Sequence, residues 1–542
     1  MMTSKSKVED KLMKKWTRWG LGIFVVAGLW VAAVSSQAAG PYYWDVNDTS
    51  GGFGTAGGTW GTSAYWNTDS TGGSGGTLAN TTITTADDVN FGTGANGLAG
   101  GTVNGPASAQ GFLNMTFGAA SGAITLSGGT LNLAPSSTIT VNNTADTISA
   151  VLQGSSSALV KEGSGKLTLS GANSYSGVTT IKAGSLSIAS AVLGTNTVTL
   201  DGGELDVTTT PWSGTITNAI AVNSGGGTIN ASSITKVLMG SITGSGALSV
   251  KGTTSTGFLW MKDCTGYNGA MTISTGYALF QSTGTNGNAG AAFTVNATAL
   301  MIDCGNSLNT IFNMGSLAGT GNIYASGYNL DAGKIKTLSV GGLNADTTFS
   351  GVLADEISGT TAKLALTKIG TGTFTLAGTN TYSGGTTVSN GALLVNGVVT
   401  GQMMVAVGGT LGGTGVVAGV VTNNGAISAG ATNTTGVLTV SNLVMAANSA
   451  YFYNYDATTN DVIAVTGNLT LPTVTTVKVS RVSGAAPIAN PAVLFSASSA
   501  PAGATSLDGW VVTGDVRSDS RVVIRGNQVQ LVRSTGMLLE IY

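Results

Sequence analysis

The chain has 542 residues, of which 83 are Gly and only 8% are charged, against the roughly 25% charged of an average domain. A hydrophobic fraction of 42% excludes disorder, which needs few apolar residues and a high net charge. With no His, any mechanism that needs an imidazole base, triad or ligand is excluded, and a formal net charge of −2 offers no basic field to nucleic acid.

Residues 1–38 read as a signal peptide. Six basic residues (Lys5, Lys7, Lys11, Lys14, Lys15, Arg18) precede the apolar stretch from Gly20 to Val34, and Ser36 and Ala38 supply small residues for cleavage after Ala38. A retained anchor is the alternative, but the stretch is short of the ~20 residues a span needs. Removal of 1–38 leaves 16 basic against 22 acidic residues, a net −6.

Residues 39–100 are a Trp-rich N-terminal cap with the first coils. Trp44, Trp60 and Trp66 either form a platform for carbohydrate or plug an end of the fold, and the plug is the preferred reading. Residues 101–450 are rich in short segments such as "LTLSG", "TVTL" and "VLTV", in which aliphatic residues alternate with Thr or Ser as they do in half-buried strands.

A repeat runs through this region. At an offset of 207, Lys161, Gly163, Gly165, Leu169, Gly171, Asn173, Tyr175, Gly177, Gly184 and Leu186 match Lys368, Gly370, Gly372, Leu376, Gly378, Asn380, Tyr382, Gly384, Gly391 and Leu393. A worn third copy lies at an offset of 92, placing the copies near 155–190, 242–280 and 362–397. Offsets of 92, 115 and 207 are four, five and nine times 23, so the expected unit is a 23-residue coil of a solenoid.

Within one copy "KLTLS", "VTTIK" and "SLSIA" read as three strands of one turn, each with one apolar face. The expected fold is all-β, a right-handed parallel β-helix with N- and C-terminal caps. Gly177 and Gly184 would serve corners, and Asn173 a left-handed corner conformation. Tyr175, Tyr267 and Tyr382 would cover coil corners, the alternative being a sugar-binding stripe.

Carboxylates are sparse. Asp201, Glu204 and Asp206 in "LDGGELDV" form the densest cluster, ahead of Asp355 with Glu356 and of Asp456 with Asp461. A glycosidase or lyase needs an acid pair or carboxylates with Ca²⁺, Arg or Lys; here solvated corners are the simpler reading. No catalytic, cofactor or metal residue is expected, and the Thr spacing is too uneven for an ice-binding ladder. Cys264 and Cys304 are read as separate thiols, since 40 is not a multiple of 23, the alternative being a disulfide that closes a long loop between residues 265 and 303.

Residues 451–542 hold the last coils and a cap. Pro472, Pro487, Pro491 and Pro501 and six basic residues (Lys478, Arg481, Arg517, Arg521, Arg525, Arg533) gather there, as suits a blunted solenoid end. "RVVIRGNQVQLV" (521–532) predicts a hairpin turning at Gly526-Asn527.

The pattern around Gly171–Leu186 and Gly378–Leu393 resembles the autotransporter-associated β-strand repeat, also called the passenger-associated transport repeat, of exported β-helical passengers in diderm bacteria. The resemblance implies export to the cell surface, the outer membrane or the medium, secretion machinery as a partner, and an adhesin-like or scaffold role without catalysis. Surface polysaccharide or other envelope proteins are the expected partners. A carbohydrate-active or polysaccharide-binding β-helix is the alternative. Fewer than 100 residues follow the family-like coils, too few for a translocating barrel of about a dozen strands, so self-translocation in cis is not expected.

Overall fold

The structure, a computed structural model, describes residues 40–533 except for 48–49, 74–77, 79–80, 189–192, 209–214, 232–235, 253–257, 282–283, 298, 303–307, 327–332, 357–361, 432 and 483–490. The signal-peptide reading and Cys304 lie outside the described residues. Every regular element described is a strand, and the strands stack in parallel as a β-solenoid of about 16 turns.

Period-2 alternation dictates the packing. Strand Lys166–Leu169 has alternate residues buried, as has Thr179–Ile181. In-register stacking then lines up like with like: Leu167, Leu186, Leu205, Ile229, Val250, Ile273 and Val295 are successive rungs of one interior ladder. All seven are essentially inaccessible to solvent, and each such side chain contributes about 1.5–3 kcal/mol relative to an exposed one.

The register corrects the expected turn. Lys166–Leu169 and Ser185–Ile188 are not two sides of one coil: Lys166 pairs with Ser185 and Leu169 with Ile188, so these strands lie one above the other, 19 residues apart. The sides of a repeat coil are the sheet containing Thr179–Ile181, the sheet containing Ser185–Ile188, and a third side, residues 170–178, with no strand. Further along, the third side becomes a seven-stranded sheet running from Thr215–Ile216 to Val352–Glu356.

The 23-residue coil survives only as a mean. Nine ladder steps lead from Ser185–Ile188 to Thr386–Val395, so the 207-residue offset averages 23, yet single steps range from 19 (Ser185 to Glu204) to 30 (Gly319 to Phe349). Side chains fix the stacking of rungs, whereas corner loops vary freely in length at small entropic cost. Residues of the worn copy share types but not faces with the first: Leu259 and Met261 lie on the third side, and Leu167 and Leu169 on the second.

The ends are closed differently. At the start Trp44, Trp60 and Trp66 are buried together, with ring centroids 4.8 Å (Trp44–Trp66) and 5.0 Å (Trp60–Trp66) apart in edge-to-face contact. Trp60 Nε1 donates to Gln110 Oε1 at 2.9 Å. The three rings form one buried cluster, with no ring face free for a sugar. At the other end Ser520–Arg525 and Gln528–Arg533 form an antiparallel hairpin, turning at Gly526 with φ +59°, and the second strand also pairs antiparallel with Ala492–Ala497.

Candidate functional site

The two good repeats place their shared residues alike. Gly184 and Gly391 sit at the corner between first and second sides with φ of +61° and +64°, a conformation costly for any residue with a Cβ. Gly171 and Gly378 enter the third side, and Gly177 and Gly384 leave it, all close against carbonyls of the preceding coil; a Cβ on Gly177 would meet Ser157 O at 2.3 Å.

Asn173 does not adopt the expected left-handed conformation, since it is not among the residues of positive φ. Its Oδ1 instead accepts the Leu152 N–H of the coil below at 2.9 Å, and Asn380 Oδ1 accepts the Leu353 N–H at 3.0 Å. On a side where the first repeat has no strand, the Asn amide replaces a rung of the ladder.

Tyr175 and Tyr382 point inward and are fully buried. Tyr175 Oη is 2.7 Å from Thr179 Oγ1, and Tyr382 Oη is 2.5 Å from Thr386 Oγ1. Burial pushes the Tyr175 phenol up to about 12, the Thr179 hydrogen bond opposing it. Tyr267, also buried, has its Oη within hydrogen-bond reach of two carbonyls, Gly246 O at 2.8 Å and Ala270 O at 2.7 Å, which share its one proton. Inaccessible rings cannot form a sugar-binding stripe.

Two shared residues to which the sequence reading gave no role, Lys161 and Lys368, are both buried. Lys161 Nζ donates to the carbonyls of Glu162, Gly163 and Ala183 at 2.7, 2.9 and 3.2 Å. Lys368 Nζ donates to Ile369, Gly370 and Asn390 at the same three distances. Identical positions 207 residues apart were the available signal.

A family model described as the passenger-associated transport repeat matches residues 159–188 and 366–395. The chain carries two passenger-associated transport repeats. Each contains the three corner glycines, the Asn rung, the buried tyrosine and the buried lysine described above. No curated protein matches the chain.

Of the carboxylates singled out in the sequence, Asp201, Glu204, Asp206 and Asp355 have structural partners. Asp206 Oδ2 meets Lys166 Nζ at 2.6 Å, and Glu204 Oε2 meets Lys251 Nζ at 3.0 Å, each pair bridging two coils. Asp201 Oδ1 accepts the Gly225 N–H at 3.1 Å. Asp355 Oδ1 accepts the Leu364 and Ser383 N–H groups at 2.9 and 2.8 Å; the Glu356 side chain lies outside the described residues.

Asp456 and Asp461 differ sharply. Asp456 closes an exposed turn by accepting the Thr458 and Thr459 N–H groups, which hold its carboxyl well below the usual range. Asp461 is buried, accepting from Gly436 N–H and from both the main-chain and side-chain N–H of Asn454, each at 2.9 Å. Burial pushes it up to about 7 against those hydrogen bonds. Asp146, which the sequence reading did not single out, is likewise buried and pushed up to about 6.

One shallow groove of about 440 Å³ lies on the first side, where Gly384 and Gly385 remove side chains beside Thr367, Thr387, Gln402, Met404, Val420 and Thr422. None of its lining residues is charged. The arrangement offers hydroxyl and amide hydrogen bonds with some apolar contact, but no acid, base or nucleophile pair.

Proposed function

We propose that this chain is an exported, non-catalytic protein of the cell surface or envelope of a diderm bacterium, an adhesin-like or scaffold solenoid of the passenger type. The observation that carries the reading is the use of the densest carboxylate cluster. Glu204 and Asp206 are each engaged by a lysine two coils away, which fastens the stack and leaves neither as a free acid or base across a cleft. The two transport repeats support export, and the signal-peptide pattern of residues 1–38 supports entry into the secretory route.

The uncharged groove favours a second role within this reading, contact with a neutral surface polysaccharide without cleavage. Incubating the purified chain with a panel of polysaccharides tests both. The expected result is retention of intact polymer or no interaction, with no shortening. Reproducible cleavage that Glu204→Gln or Asp206→Asn abolishes would overturn the non-catalytic reading.

A further inference from the structure

Lys161 stands in the worst place for a charge. Its rung on the first side is Ile139, Lys161, Ile181, Leu200, Val222, paired in register and, apart from the lysine, wholly aliphatic. Lys368 stands between Val340 and Val388, with Val405 the next rung. An apolar side chain would continue either ladder without desolvating an ammonium group.

The corner explains the lysine. An ammonium group has three N–H donors and no acceptor, and each lysine meets three carbonyls. Two belong to its own corner, where Gly163 and Gly370 have φ of +75° and +70°, and the third belongs to the next coil, just before Gly184 or Gly391. Donors and acceptors match one to one, in the same geometry, at two corners nine coils apart.

We infer that each transport repeat contains a cation site built of three main-chain carbonyls and filled by the repeat's own lysine, which fastens the repeat's corner to the coil above. The ligand class is a primary ammonium; a guanidinium, planar and forked, does not fit three carbonyls converging on one nitrogen. Burial lowers both groups to about 8, opposed at Lys161 by the nearby Asp146 and Glu162 carboxylates and at Lys368 by Asp346. At neutral pH the three-donor form therefore predominates.

The test is Lys161→Met and Lys368→Met in the full chain, since Met keeps the length and removes the donors. Amide exchange at the altered corner (162–165 and 183–185, or 369–372 and 390–392) should quicken about tenfold, the factor that accompanies 1.4 kcal/mol. The melting temperature should fall by about 1–2 °C, and the other corner should keep its wild-type exchange. Wild-type exchange and an equal or higher melting temperature in both variants would overturn the inference, because a merely tolerated charge can be replaced by an apolar side chain at no loss. Should neither variant fold, the wild type decides through nitrogen-15 NMR of its labelled lysines. Two ammonium signals protected from solvent exchange at neutral pH support the site, and none contradicts it.

Discussion

Tyr175 and Thr179 join their hydroxyl groups at 2.7 Å inside the solenoid, and Tyr382 and Thr386 repeat the contact nine coils on. Each pair links the third side to the strand that opens the next first side, so the aromatic ring fills the corner while its oxygen stays satisfied. Tyr175→Ala should therefore cost about 3–5 kcal/mol, the range for emptying a buried aromatic site. Tyr175→Phe should cost about 1–3 kcal/mol by leaving the Thr179 hydroxyl unpaired. Denaturant unfolding measures both, and an Ala variant as stable as wild type would contradict the packing described.

Asp146 and Asp461 should make stability depend on pH in an unusual direction. Both carboxyls are raised by burial from the ordinary 3.8, to about 6 and about 7. The folded state then holds protons that the unfolded state has released, so their contribution is fully present below pH 4 and is lost as pH rises through 6 and 7. For Asp461 the change is at most about 4 kcal/mol between pH 4 and 8. Melting curves across that window should show stability falling as pH rises, and Asp461→Asn should flatten the part above pH 5. A stability that rises with pH, with no change in the variant, would contradict this.

Lys166 with Asp206 and Lys251 with Glu204 are partly exposed pairs, the lysine side chains being 40% and 42% accessible. Solvent screening keeps such pairs small, and each should contribute no more than about 1 kcal/mol. Glu204→Gln and Asp206→Asn should thus shift the melting temperature by no more than about 1 °C. Their larger effect is expected at low ionic strength and should fade above about 0.5 M salt.

Cys264 is buried, with its Sγ 3.4 Å from Asn286 Oδ1, and burial pushes its thiol up to about 12. In the native chain at pH 8 it should resist alkylation and react only on unfolding. Rapid alkylation of the folded protein at Cys264 would place that thiol at the surface instead.

The solenoid was legible in the sequence because its cause is local: "KLTL" and "SLSI" alternate, and corner glycines recur. The hairpin turning at Gly526 was legible for a like reason, a local one. What failed was register. Strands Lys166–Leu169 and Ser185–Ile188 look like neighbours along one turn but pair across two, a relation set by the non-strand path through Asn173 and Tyr175. Lys161 and Lys368 were visible as matches at an offset of 207, yet a lysine in a Ser/Thr-rich surface pattern reads as solvated until its alternation is set against Ile139 and Ile181. Coil length was hidden because loops between rungs follow no periodic rule.

Export of this solenoid can be checked by sequencing the amino terminus of the chain recovered from fractionated cells. The expected result is a mature chain that begins at Ala39 and is found in the envelope or the medium. A chain that still begins at Met1 and stays in the cytoplasm would contradict it.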